Sequence, residues 1–170
     1  MLTVILQNRD AEAGLAYTLA GLVPGAVEGL VSDVMVLDQG SRDQSRAVAD
    51  AAGARFLEVW TLQQALAEAR GSWVLFLQAG ARPMGRWIED VAEHMALRGG
   101  TARFTRSRLH RRNLFDRLLR RGSPLALGLL LPIATARAEA RDETPEAFAA
   151  RLSARRSLAC ELVPAGILKD

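Results

Sequence analysis

The chain has one lysine and one cysteine among its 170 residues, and only 5% of them are aromatic. A lone cysteine, Cys160, excludes a disulfide framework within the chain. It lies in the apolar run from Leu158 to Val163, with neither histidine near it in sequence. That setting reads as a buried, inert thiol and not as a nucleophile. With so few aromatics, the core must be built from Ala, Leu and Val. The scarcity of lysine leaves arginine to carry the positive charge, which a GC-rich genome explains as readily as a ligand. Long hydrophobic runs are missing too. Leu2 to Leu6 is followed at once by Gln-Asn-Arg-Asp, too short and without the basic start of a secretory signal. The stretch from Leu125 to Ala136 is interrupted by Gly128 and Pro132 and is too short to span a bilayer. The expectation is a soluble, cytoplasmic protein.

What is present is ordinary for a globular chain: 49% hydrophobic and 24% charged residues, which argues against disorder. The length suits one domain, or one domain with a short appendage. At this size roughly two thirds of the unfolded surface is buried on folding, enough for a real core. Net charge is +3, a mild excess whose placement matters more than its size.

The first hundred residues alternate between short apolar runs and segments of helical periodicity. Strands are expected at Leu2–Leu6, Asp33–Leu37, Ala54–Val59 and Trp73–Leu77. Helices are expected at Ala13–Val23, stopped by Pro24-Gly25, then at Ser45–Ala52, Leu62–Arg70 and Gly85–Leu97. Continuous apolar strands alternating with helices imply an α/β fold with a mostly parallel sheet flanked by helices, a three-layer Rossmann-like arrangement. Ligands of such sheets bind beyond the carboxyl ends of the strands. The segments to inspect are therefore Gln7–Asp10, Asp38–Asp43, Glu58–Thr61 and Gln78–Pro83. Beyond residue 100 the pattern changes. Ala102–Thr105 reads as one more strand, and Thr144-Pro145 as a helix start with Thr as N-cap. Leu158–Leu168 reads as a strand and a tail. This divides the chain into an α/β unit over 1–105 and a reduced helical and β extension over 106–170, packed on the same domain.

Three segments carry a resemblance: LTVILQNRDAEAGLAYTLAGL (Leu2–Leu22), DVMVLDQGSRDQSRAVADAAG (Asp33–Gly53) and ARGSWVLFLQAGARP (Ala69–Pro83). In order and spacing they resemble family 2 glycosyltransferases of the GT-A fold, well over about residues 1–100 and weakly to about 155. The resemblance implies a nucleotide-sugar donor as partner and transfer of its sugar to an unknown acceptor. It also implies that Asp38, at the end of the second strand, contacts the nucleotide base. The alternative reading of Asp38, from its position alone, is a cap for the backbone of its own loop. Ser41 and Asp43 read as caps of the following helix.

The departures fall where the chemistry should be. The family's opening loop carries Pro and then Asn-Glu; here those positions read Gln7 and Asp10-Ala11, leaving Asp10 as the substitute. The family's DxD motif chelates a divalent Mg or Mn ion that bridges the donor phosphates. The matching residues are Gln78-Ala79-Gly80, so no metal site and no cofactor are expected. Arg82, two residues on, offers a fixed positive charge to a phosphate in place of a metal, or is a solvated surface residue. PLALGLLLP (Pro124–Pro132) replaces a polar family segment. The catalytic base is unknown, with Glu143 and Glu146 as weak candidates; a helix-dipole role is the plainer reading of Glu146. The alternative function is accordingly a non-catalytic relative that binds or scaffolds.

One segment fits neither reading. From Arg106 to Arg121 arginines are interleaved with Leu114, Phe115, Leu118 and Leu119 at helical spacing. The plain reading is a helix packed on the core. A peripheral contact with an anionic membrane at its inner face is the alternative. Nucleic acid is the least expected partner, since no recognition motif accompanies the charge. Pairing with a second copy is suggested only by the apolar residues Leu125 to Leu131.

Overall fold

The computed structural model describes residues 1–107, 123–152, 154 and 156–165. Most of the Arg106–Arg121 segment lies outside the described residues, and Arg106 itself ends a strand. The element order is β1 (Leu2–Asn8), α1 (Glu12–Val27), β2 (Val31–Asp38), α2 (Ser45–Ala51), β3 (Arg55–Leu57), α3 (Leu62–Glu68), β4 (Trp73–Gln78) and β5 (Arg82–Met84). Then come α4 (Trp87–Glu93), a π-helical turn over His94–Arg98, β6 (Ala102–Arg106), β7 (Leu129–Pro132), α5 (Ile133–Glu139), α6 (Pro145–Arg151) and β8 (Arg156–Val163).

The strands form one eight-stranded sheet in the order β3-β2-β1-β4-β7-β6-β8-β5. β3, β2, β1 and β4 run parallel to one another, as their continuous apolar sequences require. β7 pairs antiparallel with β4 and with β6, and β8 lies parallel to β6. Alternate residues of the central strands face two separate cores. Val4, Leu6, Leu75 and Leu77 pack towards α1 and α4 with Leu15, Trp87 and Phe104. Ile5, Met35, Val74 and Phe76 pack on the other face with Leu62, Leu66 and Phe148.

Several boundaries differ from expectation for identifiable reasons. α1 does not stop at Pro24 but runs on to Val27. Pro24 is exposed, as is Ala20, whose carbonyl loses its helical N–H partner. The Gly85–Leu97 helix is shorter, starting at Trp87 and ending in the π-helical turn. β5 was read as part of a loop. Its one partner among the described residues is β8, with Arg82 opposite Val163, so nothing local announces it, and Pro83 is tolerated because β5 lies at one end of the sheet. Within the apolar run Leu125–Leu131, Leu125, Leu129, Leu130 and Leu131 are fully buried, and β7 lies inside the sheet. Cys160 is buried as expected.

Candidate functional site

The parallel strands end side by side. Asn8 stands in register with Asp38, and Gln7 with Gln78. At this carboxyl edge an open α/β sheet leaves its crevice. Side-chain parity divides the edge: Gln7 and Gln78 continue the face of Ile5 and Phe76, whereas Asn8 and Asp38 continue that of Val4 and Val36.

Asp38 is buried and fully engaged. One carboxylate oxygen accepts from Asn8 Nδ2 at 3.0 Å and from the Ser41 hydroxyl; the other accepts the backbone N–H groups of Gly40 at 3.0 Å and Ser41 at 2.8 Å. Burial pushes this carboxyl up, but the hydrogen bonds from Ser41, Asn8 and Gly40 outweigh it and hold the group below its ordinary value. Its acceptor positions are filled, and what they build is the loop from Asp38 to Ser41. The same bonds fix the Asn8 amide and leave its Oδ1 buried without a partner.

The two loops flanking this pair cap each other. Asp10, at φ 44, donates its N–H to Ser41 Oγ at 2.9 Å and accepts from the Arg42 N–H at 2.8 Å. Asp43 accepts from the Glu12 N–H at 2.9 Å and from the Ser45 N–H at 3.0 Å, while Glu12 accepts from the Gln44 N–H at 2.8 Å. Burial raises the Asp43 carboxyl, yet the Ser45 and Glu12 hydrogen bonds bring it below its ordinary value. The starts of α1 and α2 therefore already hold carboxylates of this chain, as their dipoles favour.

The loop after β4 is closed by backbone contacts. Ala79 N–H donates to Gln7 O at 3.0 Å, and Gly80 N–H donates to Thr18 Oγ1 at 2.8 Å. Gly80 sits at φ 99. α1 approaches so closely that a Cβ on Gly14 would lie 3.2 Å from the Gly80 Cα. These residues do not fit a divalent cation: an amide, a methyl group and a glycine supply no carboxylate, and Ala79 and Gly80 are buried. No group of three or more His, Cys, Asp or Glu residues that would hold a metal ion occurs among the described residues.

Arg82 lies along α1, past the point where Gly14 meets Gly80. Its guanidinium stacks over the Tyr17 ring at 4.9 Å, and its Cγ would come within 2.8 Å of a Cβ on Gly21. The two acidic candidates separate. Glu143 pairs with Arg151, which also holds Glu139 at 3.2 Å, so it ties the end of α5 to the end of α6. Glu146 reaches the edge. Its backbone N–H donates to Gln7 Oε1 at 3.0 Å, and its carboxylate accepts from the Ser123 hydroxyl at 2.7 Å. Trp60, after β3, donates its indole N–H to Asp38 O at 2.7 Å.

No protein-family model matches the sequence. No curated protein matches it either. Solved structures do. Glucosyl-3-phosphoglycerate synthase from Mycobacterium tuberculosis, in complex with Mn2+, UDP and glucosyl-3-phosphoglycerate, superposes with a TM-score of 0.58 at 21% identity, over 79% of this chain and 57% of that one. Mannosyl-3-phosphoglycerate synthase from Rubrobacter xylanophilus gives 0.59 at 15% identity, over 79% and 54%. The chain has a GT-A fold. It spans little more than half the length of the synthases that share it.

Within this GT-A fold, Asp10 and Asp38 fall together in the interlocked loops, and Gln78 and Gly80 in the loop beside them. Glu146 joins the same edge across Gln7, while Arg82 and Glu143 are engaged with Tyr17 and Arg151. Gln7, Asn8 and Trp60 fall in the strand-end segments marked for inspection but were given no role there, and Ser123 was not marked. Gln7 carried a signal nonetheless: an amide ending a strand that is otherwise apolar from Leu2 to Leu6 is a buried polar group in need of a partner.

Proposed function

We propose that this is a glycosyltransferase-like protein that takes a nucleoside-diphosphate sugar at the carboxyl edge of β1, β2 and β4 without a bridging divalent cation, with Glu146 as its acid–base group. The observation that carries the reading is the bond from the Glu146 amide to Gln7 Oε1, across 139 residues of sequence. It sets a carboxylate, oriented by Ser123, beside the paired ends of β1 and β4. A carboxylate there can accept a proton from an acceptor hydroxyl as the sugar is transferred. The Gln7 and Gln78 amides offer neutral donors and acceptors suited to hydroxyl groups. Support for a UDP-type donor comes from the structural neighbours, which were solved with UDP or UDP-glucose. Among the described residues no helix is long and apolar enough to cross a membrane.

Thermal unfolding in the presence of UDP, GDP and UDP-glucose tests the donor reading. A ligand held only by the folded state raises the melting temperature, by the equivalent of ~2.7 kcal/mol at a hundred times its Kd. The expected result is a shift with a nucleotide that is the same in EDTA and in Mn2+. No shift with any of the three removes the donor site, and a shift that requires Mn2+ contradicts metal independence.

A second reading is a binding module without turnover. It is favoured by one observation: Asp38 and both helix starts at the edge are already satisfied by groups of the chain itself. Release of UDP from UDP-glucose separates the two. Turnover lost in Glu146→Gln supports the enzyme; nucleotide binding with no turnover in the unaltered protein supports the module.

A further inference from the structure

Arg103, in β6, is half-buried, and its guanidinium faces backbone. One terminal nitrogen donates to Pro124 O and, at 3.0 Å, to Gly128 O; the other donates to Ala149 O at 2.6 Å and Leu152 O at 3.4 Å. Burial pulls its pKa down. Placing a cation here is costly, and an apolar residue would avoid the cost. Two forked pairs of N–H donors for four carbonyls are what a guanidinium offers and an apolar side chain or a lysine does not.

The four carbonyls come from two segments. Pro124 and Gly128 bracket the turn before β7. That turn begins at Ser123, whose hydroxyl donates to Glu146 and accepts the Leu125 N–H at 3.2 Å. Ala149 and Leu152 are at the far end of α6, the helix whose first turn carries Glu146. A cation at this carboxyl end also suits the helix dipole. Both supports of the Glu146 carboxylate, the Ser123 turn and α6 itself, are thus fastened to one side chain.

We propose that Arg103 is a positioning residue that clamps the Ser123 turn and α6 together and so sets Glu146 at the carboxyl edge of β1. This rests on the reading of Glu146 as the acid–base group. The clamp makes no contact with the edge and acts only through the two segments. Arg137 is the natural comparison. It also grips carbonyls, those of Leu66 at 2.9 Å and Ala67 at 3.2 Å, but it secures α3 and touches neither support of Glu146.

The test is the NMR signal of the Glu146 amide, assigned in the full chain, in Arg103→Met, Arg103→Lys and Arg137→Met. A chemical shift reports the folded state, so a general loss of stability does not move it. In both Arg103 variants the Glu146 amide proton should move upfield as its bond to Gln7 loosens, and exchange with solvent should quicken at least ~10-fold. In Arg137→Met the signal should keep its place. Arg103→Lys retains the charge and guards against a Met variant that fails to fold. A Glu146 signal unmoved in a folded Arg103 variant, or moved equally by Arg137→Met, overturns the clamp. Failure of the underlying reading shows elsewhere, as unchanged UDP-glucose turnover in Glu146→Gln.

Discussion

Asp38 shows how far one carboxylate governs this edge. Replacing it with Asn removes the charge that four donors converge on and turns an NH2 group towards some of them. An orphaned buried donor costs about 1–3 kcal/mol, so Asp38→Asn should lose ~3 kcal/mol in urea unfolding. The pH dependence has a definite sign. The carboxyl is lowered on folding, so its contribution is complete above the unfolded value of about 3.9 and is lost as pH falls through the lower folded value. Acid unfolding should therefore be less steep in Asp38→Asn than in the unaltered protein. Identical acid limbs would show that the loop does not depend on the charge. Cys160 makes the opposite case. Burial, and next to it the charge of Asp90, push its thiol up to about 12. Thiolate is the reactive form, so iodoacetamide at pH 8 should leave the folded protein unmodified and label it only at the rate of unfolding. Fast labelling in native buffer would mean that the core around Trp87 and Val91 does not cover the sulfur.

At the scale of elements, the decisive contact is that of α1 with the loop after β4. Thr18 Oγ1 donates to Gly14 O at 3.1 Å and accepts from the buried Gly80 N–H, so one hydroxyl joins the helix to the loop. Thr18→Val keeps the shape and removes both bonds. It should cost about 2 kcal/mol, and where a nucleotide binds, it should weaken binding as well, since Gly80 loses its anchor. A variant with native stability and native affinity would dismiss Thr18 as the anchor. α1 and β4 were both legible in the sequence, from helical spacing and an unbroken apolar run, because each pattern is local. The contact between them was not: Gly14 and Gly80 meet only once the sheet is assembled. β5 and the bond from Glu146 to Gln7 stayed hidden for the same reason, since Val163 and Gln7 lie far away in the chain. Asp38 was found by its motif, and its hold on its own loop is seen in the distances to Gly40 and Ser41. Asp10, Gln78 and Gly80 lie at the edge, beyond the strand ends that their local pattern marked. The stacking of Arg82 on Tyr17 was not legible, because the two meet only through the fold.

For the molecule as a whole, arginine does much of the joining. Arg103, Arg137 and Arg151 each hold backbone carbonyls contributed by other elements, and Arg55 joins Asp33 at 2.6 Å to Glu68 at 3.1 Å. The same integration decides whether the early α/β unit stands alone. β7 lies between β4 and β6, pairing Leu131 with Val74 and Leu130 with Leu75. Phe148 of α6 packs on Phe76 with ring centroids 5.4 Å apart, and both rings are fully buried. A fragment of residues 1–105 would lose both. The β4 edge would stand open along Val74, Leu75 and Phe76, an apolar edge strand of the kind that recruits other chains. Removing Phe148 alone withdraws a contact of the size whose truncation costs ~3–5 kcal/mol, comparable with the low end of a small domain's whole stability. The fragment is therefore expected to aggregate or to lack a cooperative melt. The full chain should unfold in a single transition, with far-UV circular dichroism and tryptophan fluorescence coinciding, because Trp73 and Trp87 belong to the same sheet assembly as β7. A soluble 1–105 fragment with its own sharp transition would show instead that the residues beyond β6 are an attachment to a finished core.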